Sequence, residues 1–327
     1  MSFKKNTSLV LILLTVIFFG CSVKSDVKVI KLGHGLDGTH PVHKAMVFMS
    51  EELEKNSNGK MRIDIYPSQQ LGTERECVEL LQIGSLGMTK VSASVLEGFA
   101  SSYTIFNLPY IFRDEEHLFS ILDGEIGKEI LKSSEKKLIK GVCYFDAGSR
   151  SFYTKEKPIN SPEDLTGLKI RTQESATSVK LVNTLGGSAT PISWGELYTA
   201  LQQGVVDGAE NNPPSFYLSR HYEVCKYYSL DEHTAVPDVL IISTKVWDSL
   251  NEEEQAWFQA AVDVAVIFQR KIWKEASEDA LKKVAEAGVE IIYPDKKPFE
   301  EKVVSLYEEY KTSDPNLYNL IKEIKSK

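Results

Sequence analysis

Cysteine is scarce in this chain: four occur in 327 residues, and no two have the Cys-x-x-Cys spacing. Cys21 lies near the N-terminus, and the other three, Cys77, Cys143 and Cys225, cannot all pair with one another because their number is odd. Cys143 and Cys225 lie in apolar, strand-like runs. We therefore expect buried free thiols rather than a set of disulfides.

Enzyme motifs and excess positive charge are also missing. The chain has no Gly-x-Ser-x-Gly elbow, no Walker phosphate loop and no His-Glu-x-x-His helix, which argues against an enzyme. Its 38 Lys and Arg residues are outnumbered by 46 Asp and Glu, a net charge of −8. This balance argues against nucleic acid and anionic lipid surfaces as main partners. A small anionic ligand stays compatible, because a few arginines can dominate the field inside a cleft.

A long apolar run occurs at the N-terminus, over residues 9–19, after Lys4 and Lys5. It is too short to cross a bilayer comfortably and is typical of a signal peptide. The small residue before Cys21 resembles a lipoprotein processing site, although Phe18 departs from the usual aliphatic residue. We predict a signal peptide over 1–20, a lipid on Cys21 and a tether over 21–26. The alternative is a secreted protein that is cut nearby, with Cys21 incidental.

Strand-like and helix-like patterns alternate along the rest of the chain. Residues 27–32, 61–65 and 168–171 are typical of strands, whereas 175–185 has helical spacing and ends at two glycines. Such alternation predicts an α/β fold with mixed, mostly parallel sheets, and two such blocks suggest two lobes with a cleft between them.

Apolar residues recur at helical spacing from Trp257 to Val284. A helix of that length is too long for one small lobe. The alternative is two helices separated by a loop near Lys271.

Polar residues follow several of the predicted strands. Arg150 comes after the strand-like run 142–145 and a short Gly-Ser turn, Arg171 ends the run 168–171, and amides follow in the segment 208–214. Strand ends of an α/β sheet meet at one crevice, where such sheets bind ligands. Two guanidinium groups there would suit a carboxylate. The alternative is two unrelated surface arginines in salt bridges.

Five ordered segments carry a resemblance to a known family. They are LGTERE (71–76), FNLPYIF (106–112), SPEDLTGLKIR (161–171), GVVDGAEN (204–211) and HYEVCKY (221–227). The chain resembles the solute receptors of tripartite ATP-independent periplasmic (TRAP) transporters over essentially its whole mature length. The resemblance implies a two-lobed periplasmic binding protein fold with a long helix bridging the lobes and taking part in the hinge.

We predict one lobe from 27–148 plus about 237–276, and a second lobe from 149–236 plus about 277–327.

The resemblance also implies ligand residues. The signature arginine of the family falls on Arg171, its second ligand arginine on Arg150 and its ligand asparagine on Asn211. The turn before Arg150, with Asp146, departs from the usual Gly-rich, Asn-containing sequence.

Three further positions are candidates by resemblance. Glu74 would accept hydrogen bonds from ligand hydroxyls, or else stabilise a helix N-terminus. Trp194 would stack on a sugar ring, or else belong to the core. His34 would donate to ligand oxygens as a neutral imidazole. A metal site at His34, His40 and His43 is rejected, since neither a cysteine nor paired acids accompany them.

These residues predict a monomeric receptor without cofactor or metal, which binds an organic acid and closes by hinge motion. Glu74, Trp194 and His34 favour a hexuronate such as glucuronate or galacturonate, and the alternative is a C4-dicarboxylate or another small hydroxy or keto acid. The expected partners are TRAP permease membrane subunits, and the expected location is the periplasm, anchored through Cys21. The rival class, an enzyme acting on a carboxylate, would turn its ligand over.

Overall fold

The structure is a computed structural model that describes residues 27–327. The predicted signal peptide, the lipid site Cys21 and the tether 21–26 lie outside the described residues. Among residues 27–327, no helix combines the length and the apolar character needed to cross a membrane.

Strands and helices alternate as predicted. The strands are β1 (Lys28–Gly33), β2 (Met61–Tyr66), β3 (Met88–Ser92), β4 (Ile139–Phe145), β5 (Arg150–Thr154), β6 (Lys169–Thr172), β7 (Ser188–Pro191), β8 (Gly208–Asn211), β9 (Tyr227–Thr234), β10 (Asp238–Ser243) and β11 (Glu290–Ile292). The helices are α1 (Pro41–Asn56), α2 (Glu74–Ile83), α3 (Ala93–Leu96), α4 (Glu115–Asp123), α5 (Glu125–Ser133), α6 (Ala176–Leu185), α7 (Leu197–Gln202), α8 (Pro213–Leu218), α9 (Thr244–Asp248), α10 (Glu252–Glu286), α11 (Lys297–Ser313) and α12 (Pro315–Ser326). Short 3₁₀ helices span Ser101–Asn107, Glu135–Lys137, Pro162–Leu165, Trp194–Glu196 and His221–Glu223.

The strands form two mixed sheets, one in each lobe. The first sheet has the order β2-β1-β3-β10-β4, and the second has the order β11-β9-β5-β8-β6-β7. In the first, β1 is parallel to β2 and β3, whereas β10 is antiparallel to β3 and β4. In the second, β6 is parallel to β7 and β8, whereas β5 is antiparallel to β8 and β9. Parallel and antiparallel pairings are thus mixed in both lobes.

The chain passes between the two sheets through short connections. Residues 146–149 lead from β4 to β5, and residues 235–237 lead from β9 to β10. The boundaries predicted at 148 and 236 lie within these connections.

Helix α10 bridges the lobes. It is one helix of 35 residues, without the break considered near Lys271, and Asn251 caps it in a capping box with Glu254. Phe258 and Val262 pack in the first lobe with the buried face of α1, and Val284 packs in the second lobe with Phe216. The bridging helix is confirmed.

The last two helices pack on different lobes. Phe299 and Val303 of α11 contact the second-lobe cluster, whereas Leu317 and Ile321 of α12 belong to a first-lobe cluster. His117 of the first lobe also lies 3.0 Å, through Nε2, from the carbonyl oxygen of Ile324. This packing differs from the predicted grouping of all of 277–327 with the second lobe, because the apolar face of α12 is buried against the first.

The cysteines of the described residues, Cys77, Cys143 and Cys225, are buried and free. Burial raises the pKa of the Cys77 thiol to about 11 and that of Cys225 to about 12. All three therefore stay protonated and act as small apolar side chains, as expected.

Candidate functional site

Three polar side chains meet at one edge of the second sheet. Arg171 lies in β6 opposite Ala209 of the parallel strand β8, which ends at Asn211. The sequence places Arg150 after the end of a strand, which is β4; the structure shows that Arg150 is also the first residue of the next strand, β5. Because β5 runs antiparallel to β8, with Ser151 opposite Asn211, the first residue of β5 lies beside the last residue of β8. The predicted convergence is confirmed, and all three line one cavity between the lobes.

Arg150 is held almost entirely by the protein. Its Nε donates to Glu210 Oε2, and its Nη2 donates to Glu210 Oε1 at 2.9 Å and to the Glu210 carbonyl oxygen at 2.8 Å. Its Nη1 donates to Asn211 Oδ1 at 3.1 Å. Burial alone would lower the pKa of Arg150, but the charge of Glu210 outweighs it and raises that pKa. Arg150 is therefore a fixed cation with few donors to spare.

A second buried pair supports Glu210 from behind. His233 Nδ1 lies 2.8 Å from Asp231 Oδ2, and His233 Nε2 lies 3.7 Å from Glu210 Oε2. Burial opposes a charged imidazole, yet Asp231 and Glu210 raise the pKa of His233 to about 9. Burial likewise opposes a charged Glu210, but Arg150 and His233 lower its pKa to about 2.

Sequence reasoning missed the role of Asp231, His233 and Glu210. The available signal was the spacing of Asp231 and His233, which puts both side chains on one face of β9.

Arg171 differs from Arg150, because not all of its guanidinium donors are hydrogen-bonded within the described residues. The residue is 3% exposed, and its Nε donates to the Ile192 carbonyl oxygen at 2.8 Å. Its buried Nη1 has no hydrogen-bond partner within the described residues, and no acidic side chain there forms an ion pair with it. Burial, with some help from the charge of Arg150, lowers the pKa of Arg171. A buried guanidinium with a free donor is suited to pairing with an anionic group.

Asn211 presents its amide nitrogen to the cavity. Its Oδ1 accepts from Arg150 Nη1 and, at 2.9 Å, from the Asn212 backbone N–H. Two donors on one atom determine which end of the amide is oxygen. The nitrogen is therefore the group that can donate to a ligand.

The opposite wall of the cavity, from the first lobe, is acidic. Lys90 is 2% exposed, and its Nζ contacts Glu74 Oε1 at 2.9 Å and Asp238 Oδ1 at 3.1 Å. Burial favours the neutral amine, but the charges of Asp238 and Glu74 outweigh it and raise the pKa of Lys90. Two carboxylates and one ammonium give this cluster a net charge of about −1 when all are ionised. The sequence did not point to Lys90 or Asp238.

Glu74 lies at the start of a helix and also lines the cavity. It is the first residue of α2, after the N-cap Thr73, so its charge also lies at a helix N-terminus. Its Oε2 accepts from the Ser92 backbone N–H at 3.2 Å, and the residue lines the cavity.

Trp194 forms part of the cavity wall and part of the core. Its indole packs against both lobes' clusters, 5.3 Å from the His221 ring, while the guanidinium carbon of Arg171 lies 5.9 Å from the ring centroid. The two alternatives, wall and core, are therefore not exclusive.

His34 does not line the cavity, so the ligand role inferred for it needs correction. Its Nδ1 accepts from the Leu36 backbone N–H at 3.1 Å, and its Nε2 lies 3.0 Å from His43 Nδ1. Both ring nitrogens are thus engaged by the protein. Burial, with the charge of Lys90, lowers the pKa of His34 to about 3, so the imidazole is neutral as expected. Within residues 27–327, no three side chains group as metal ligands.

A sequence model of the family described as bacterial extracellular solute-binding protein, family 7, matches residues 32–313. The chain belongs to this family. It is 32% identical over 261 residues to the C4-dicarboxylate-binding periplasmic protein of Rhodobacter capsulatus, covering 80% of this chain and 78% of that protein.

Solved structures of similar chains show the same fold with ligands bound. A TRAP periplasmic solute-binding protein of Xanthobacter autotrophicus Py2 contains β-D-galacturonate and is 40% identical, with a TM-score of 0.88 over 91% of this chain and 99% of that one. Another, from Anaerococcus prevotii, contains α/β D-glucuronate and is 42% identical, with a TM-score of 0.88 over 91% and 98%. The two-lobed TRAP receptor fold is thereby confirmed.

Proposed function

We propose that this protein captures a hexuronate, such as D-glucuronate or D-galacturonate, and delivers it to the membrane permease of a TRAP transporter. The observation that carries the proposal is the buried Nη1 of Arg171, which has no hydrogen-bond partner among residues 27–327 and lies in a cavity whose opposite wall is acidic. The two similar proteins solved with hexuronates support it.

A hexuronate matches both walls of the cavity. Its single carboxylate would pair with Arg171 and accept from the Asn211 amide, whose oxygen is held by Arg150. Its ring offers an apolar face to Trp194. Its hydroxyls can donate to the carboxylates of Glu74 and Asp238, which share the single cation Lys90 and can accept further hydrogen bonds.

A C4-dicarboxylate is the second candidate. The observation in its favour is Lys90, a cation that could receive a second carboxylate. However, Lys90 is already bonded to Glu74 and Asp238. A second negative charge on the ligand would meet this net acidic cluster and be repelled.

Thermal unfolding with a panel of ligands tests the choice. A ligand at about 100 times its Kd adds about 2.7 kcal/mol of stability. Glucuronate or galacturonate should raise the melting temperature of the wild type and not that of Arg171→Ala, whereas succinate and malate should raise neither. A shift with malate or succinate and none with the hexuronates would replace this proposal by the dicarboxylate alternative.

We propose a periplasmic location with a lipid anchor on Cys21. The proposal is supported by the sequence around Gly20-Cys21 and by the receptor family. Several acyl chains give stable membrane attachment, whereas one does not. The intact mass of the native protein should show an acylated N-terminus at Cys21, and Cys21→Ala should release the protein or block processing. An unmodified N-terminus at another residue contradicts the anchor.

We also propose that the protein acts as a monomer and leaves its ligand chemically unchanged. The proposal that the ligand stays unchanged is supported by the ion pairs in the cavity. Lys90 is bonded to two acids and Arg150 to Glu210, so neither cation is free to react with a ligand. Glucuronate recovered after long incubation should be intact, and sedimentation should show one chain per particle. Conversion of the sugar would make the protein an enzyme.

A further inference from the structure

Two half-buried glutamines in the cavity each have one buried amide atom that the anchoring of a carboxylate does not explain. Gln69 Nε2 and Gln173 Oε1 are buried side-chain atoms without hydrogen-bond partners among the described residues, and both residues line the same cavity as Arg171. A buried donor or acceptor without a partner is costly, so such groups are rare in folded proteins. Each amide can both donate and accept a hydrogen bond.

Gln69 is held in place by an unusual local backbone. It follows β2 in the first lobe, and both Ser68 and Gln69 have positive φ values, 55° and 59°. Non-glycine residues rarely adopt this region, and the strain is typical of functional sites. Its backbone N–H donates to the His34 carbonyl oxygen at 3.0 Å. The turn therefore aims the side chain at a defined place.

A glycine of the second lobe leaves room for the Gln69 side chain. A Cβ atom at Gly195, in the second lobe beside Trp194, would lie 2.2 Å from Gln69 Oε1. On the other side, Gly35 of the first lobe packs against Gln69, since a Cβ atom there would lie 3.5 Å from Gln69 Cγ, an ordinary van der Waals distance. The side chain is thus confined between the lobes, where a ligand that closes the cleft would meet it.

Gln173 stands on the other lobe, two residues after Arg171 in the chain. Its backbone carbonyl accepts from the Ser175 N–H at 2.8 Å, which holds the turn between β6 and α6. The turn keeps Gln173 beside the carboxylate anchor, with its Oε1 unpaired.

We propose that Gln69 and Gln173 are ligand-specificity residues whose side-chain amides recognise neutral hydroxyl groups from opposite lobes. An amide has a donor end and an acceptor end, and a hydroxyl can both accept and donate, so the hydroxyls of a sugar acid can satisfy both amides; an ionised carboxylate can only accept. This inference rests on the proposed function, because it assigns the hydroxyl contacts of the same ligand.

Calorimetry on variants and deoxy sugars tests the assignment. Using whichever of D-glucuronate and D-galacturonate binds, Gln69→Ala and Gln173→Ala should each weaken affinity about tenfold. The isosteric Gln69→Glu should weaken it at least as much, since it replaces the donor by an acceptor. The matched controls Gln70→Ala and Gln203→Ala, both at exposed glutamines, should bind like the wild type.

The 2-deoxy, 3-deoxy and 4-deoxy analogues of that sugar distinguish a direct contact between a glutamine and a ligand hydroxyl from an indirect, structural role of the glutamine. For one analogue, the ratio of wild-type to Gln69→Ala affinity should fall to about one, because the contacted hydroxyl is already missing. Equal ratios for the parent sugar and all three analogues, or no loss in any glutamine variant, overturn the inference while the proposed function stands. If the wild type binds neither hexuronate, both fail.

Discussion

The two walls of the cavity use charged residues in opposite ways. On the second-lobe wall, Arg171 is buried and keeps a donor free, and Arg150 beside it is neutralised by Glu210. On the first-lobe wall, Lys90 is buried and forms ion pairs with both Glu74 and Asp238. The charge of Lys90 is thus neutralised within the protein, and one negative charge is left over. One wall is therefore prepared for an anion, and the other for groups that donate hydrogen bonds.

The comparison explains why a count of charged residues would mislead. The described cavity contains three cations, Arg150, Arg171 and Lys90, yet only Arg171 has an unpaired buried nitrogen. A cation that already forms an ion pair within the protein has little left to offer a ligand, so the state of pairing, rather than the charge, identifies the residue available for binding. Each of the changes below alters one wall and leaves the other in place.

Removal of Arg171 should have the largest effect on binding. Arg171→Ala leaves the ligand carboxylate without its buried partner, which costs about 3–5 kcal/mol, so affinity should fall at least about a hundredfold at 1.4 kcal/mol per decade. Arg171→Lys should also bind poorly, because one ammonium cannot replace the planar fork. Calorimetry with a hexuronate measures both, and the exposed Arg220→Ala is the control. Near-wild-type affinity in Arg171→Ala would sink the assignment.

Removal of the cation from the acidic wall should destabilise the fold. Lys90→Met leaves Glu74 and Asp238 side by side and buried, so the free energy of unfolding should fall by about 3 kcal/mol or more. The loss should be smaller in acid, where the unpaired carboxylates can take up protons. Urea unfolding at neutral and acid pH measures it, with the exposed Lys44→Met as control. Equal stability of Lys90→Met and wild type contradicts the buried pairing.

The charge of His233 behind Arg150 gives a pH-dependent effect. The pKa of His233 is raised from 6.5 to about 9, chiefly because Asp231 outweighs the effect of burial. Its contribution to stability is then complete below pH 6.5 and is lost as the pH rises through about 9.

Urea unfolding of the wild type and His233→Gln should therefore show a stability difference of a few kcal/mol near pH 6 that shrinks toward pH 10. His43→Gln is the control, because burial lowers the pKa of His43 and its effect lies on the acid side. A difference that stays constant across this range means that His233 is not charged.

The smallest predicted effect concerns Glu74. In Glu74→Gln, an amide replaces a carboxylate that accepts from hydroxyls, so hexuronate affinity should fall about tenfold. Dicarboxylate binding should stay unchanged or improve, since one repelling charge is gone. Calorimetry with both ligand classes checks this, and Glu79→Gln, exposed on the same helix, is the control. An equal loss of affinity for hexuronates and dicarboxylates would show that Glu74 has a structural role in the cavity wall and does not accept hydrogen bonds from ligand hydroxyls.

Much of the local structure could be predicted from short stretches of sequence. The capping box at Thr73, the helix from Ala176 ending at Gly186, and the strand that carries Arg171 depend on neighbours within a few residues. The family segments then assigned Arg171, Arg150 and Asn211 to a common site, and the structure brings them together. His34 was misplaced because a strand-end position does not show which way a side chain points.

From its periodicity and its resemblance to a family, the sequence predicted the class of fold, a long helical segment and the arginines of one wall. Only the tertiary structure decided which charges are paired. Lys90 and Asp238 are 148 residues apart, and Arg150 and Glu210 are 60 apart. Such pairs form when two sheets and their crossing strands bring distant residues into a dry interior, where an unpaired charge is costly. For that reason the unpaired donor of Arg171 and the unpaired amide atoms of Gln69 and Gln173 can be identified only from the tertiary structure of the described residues.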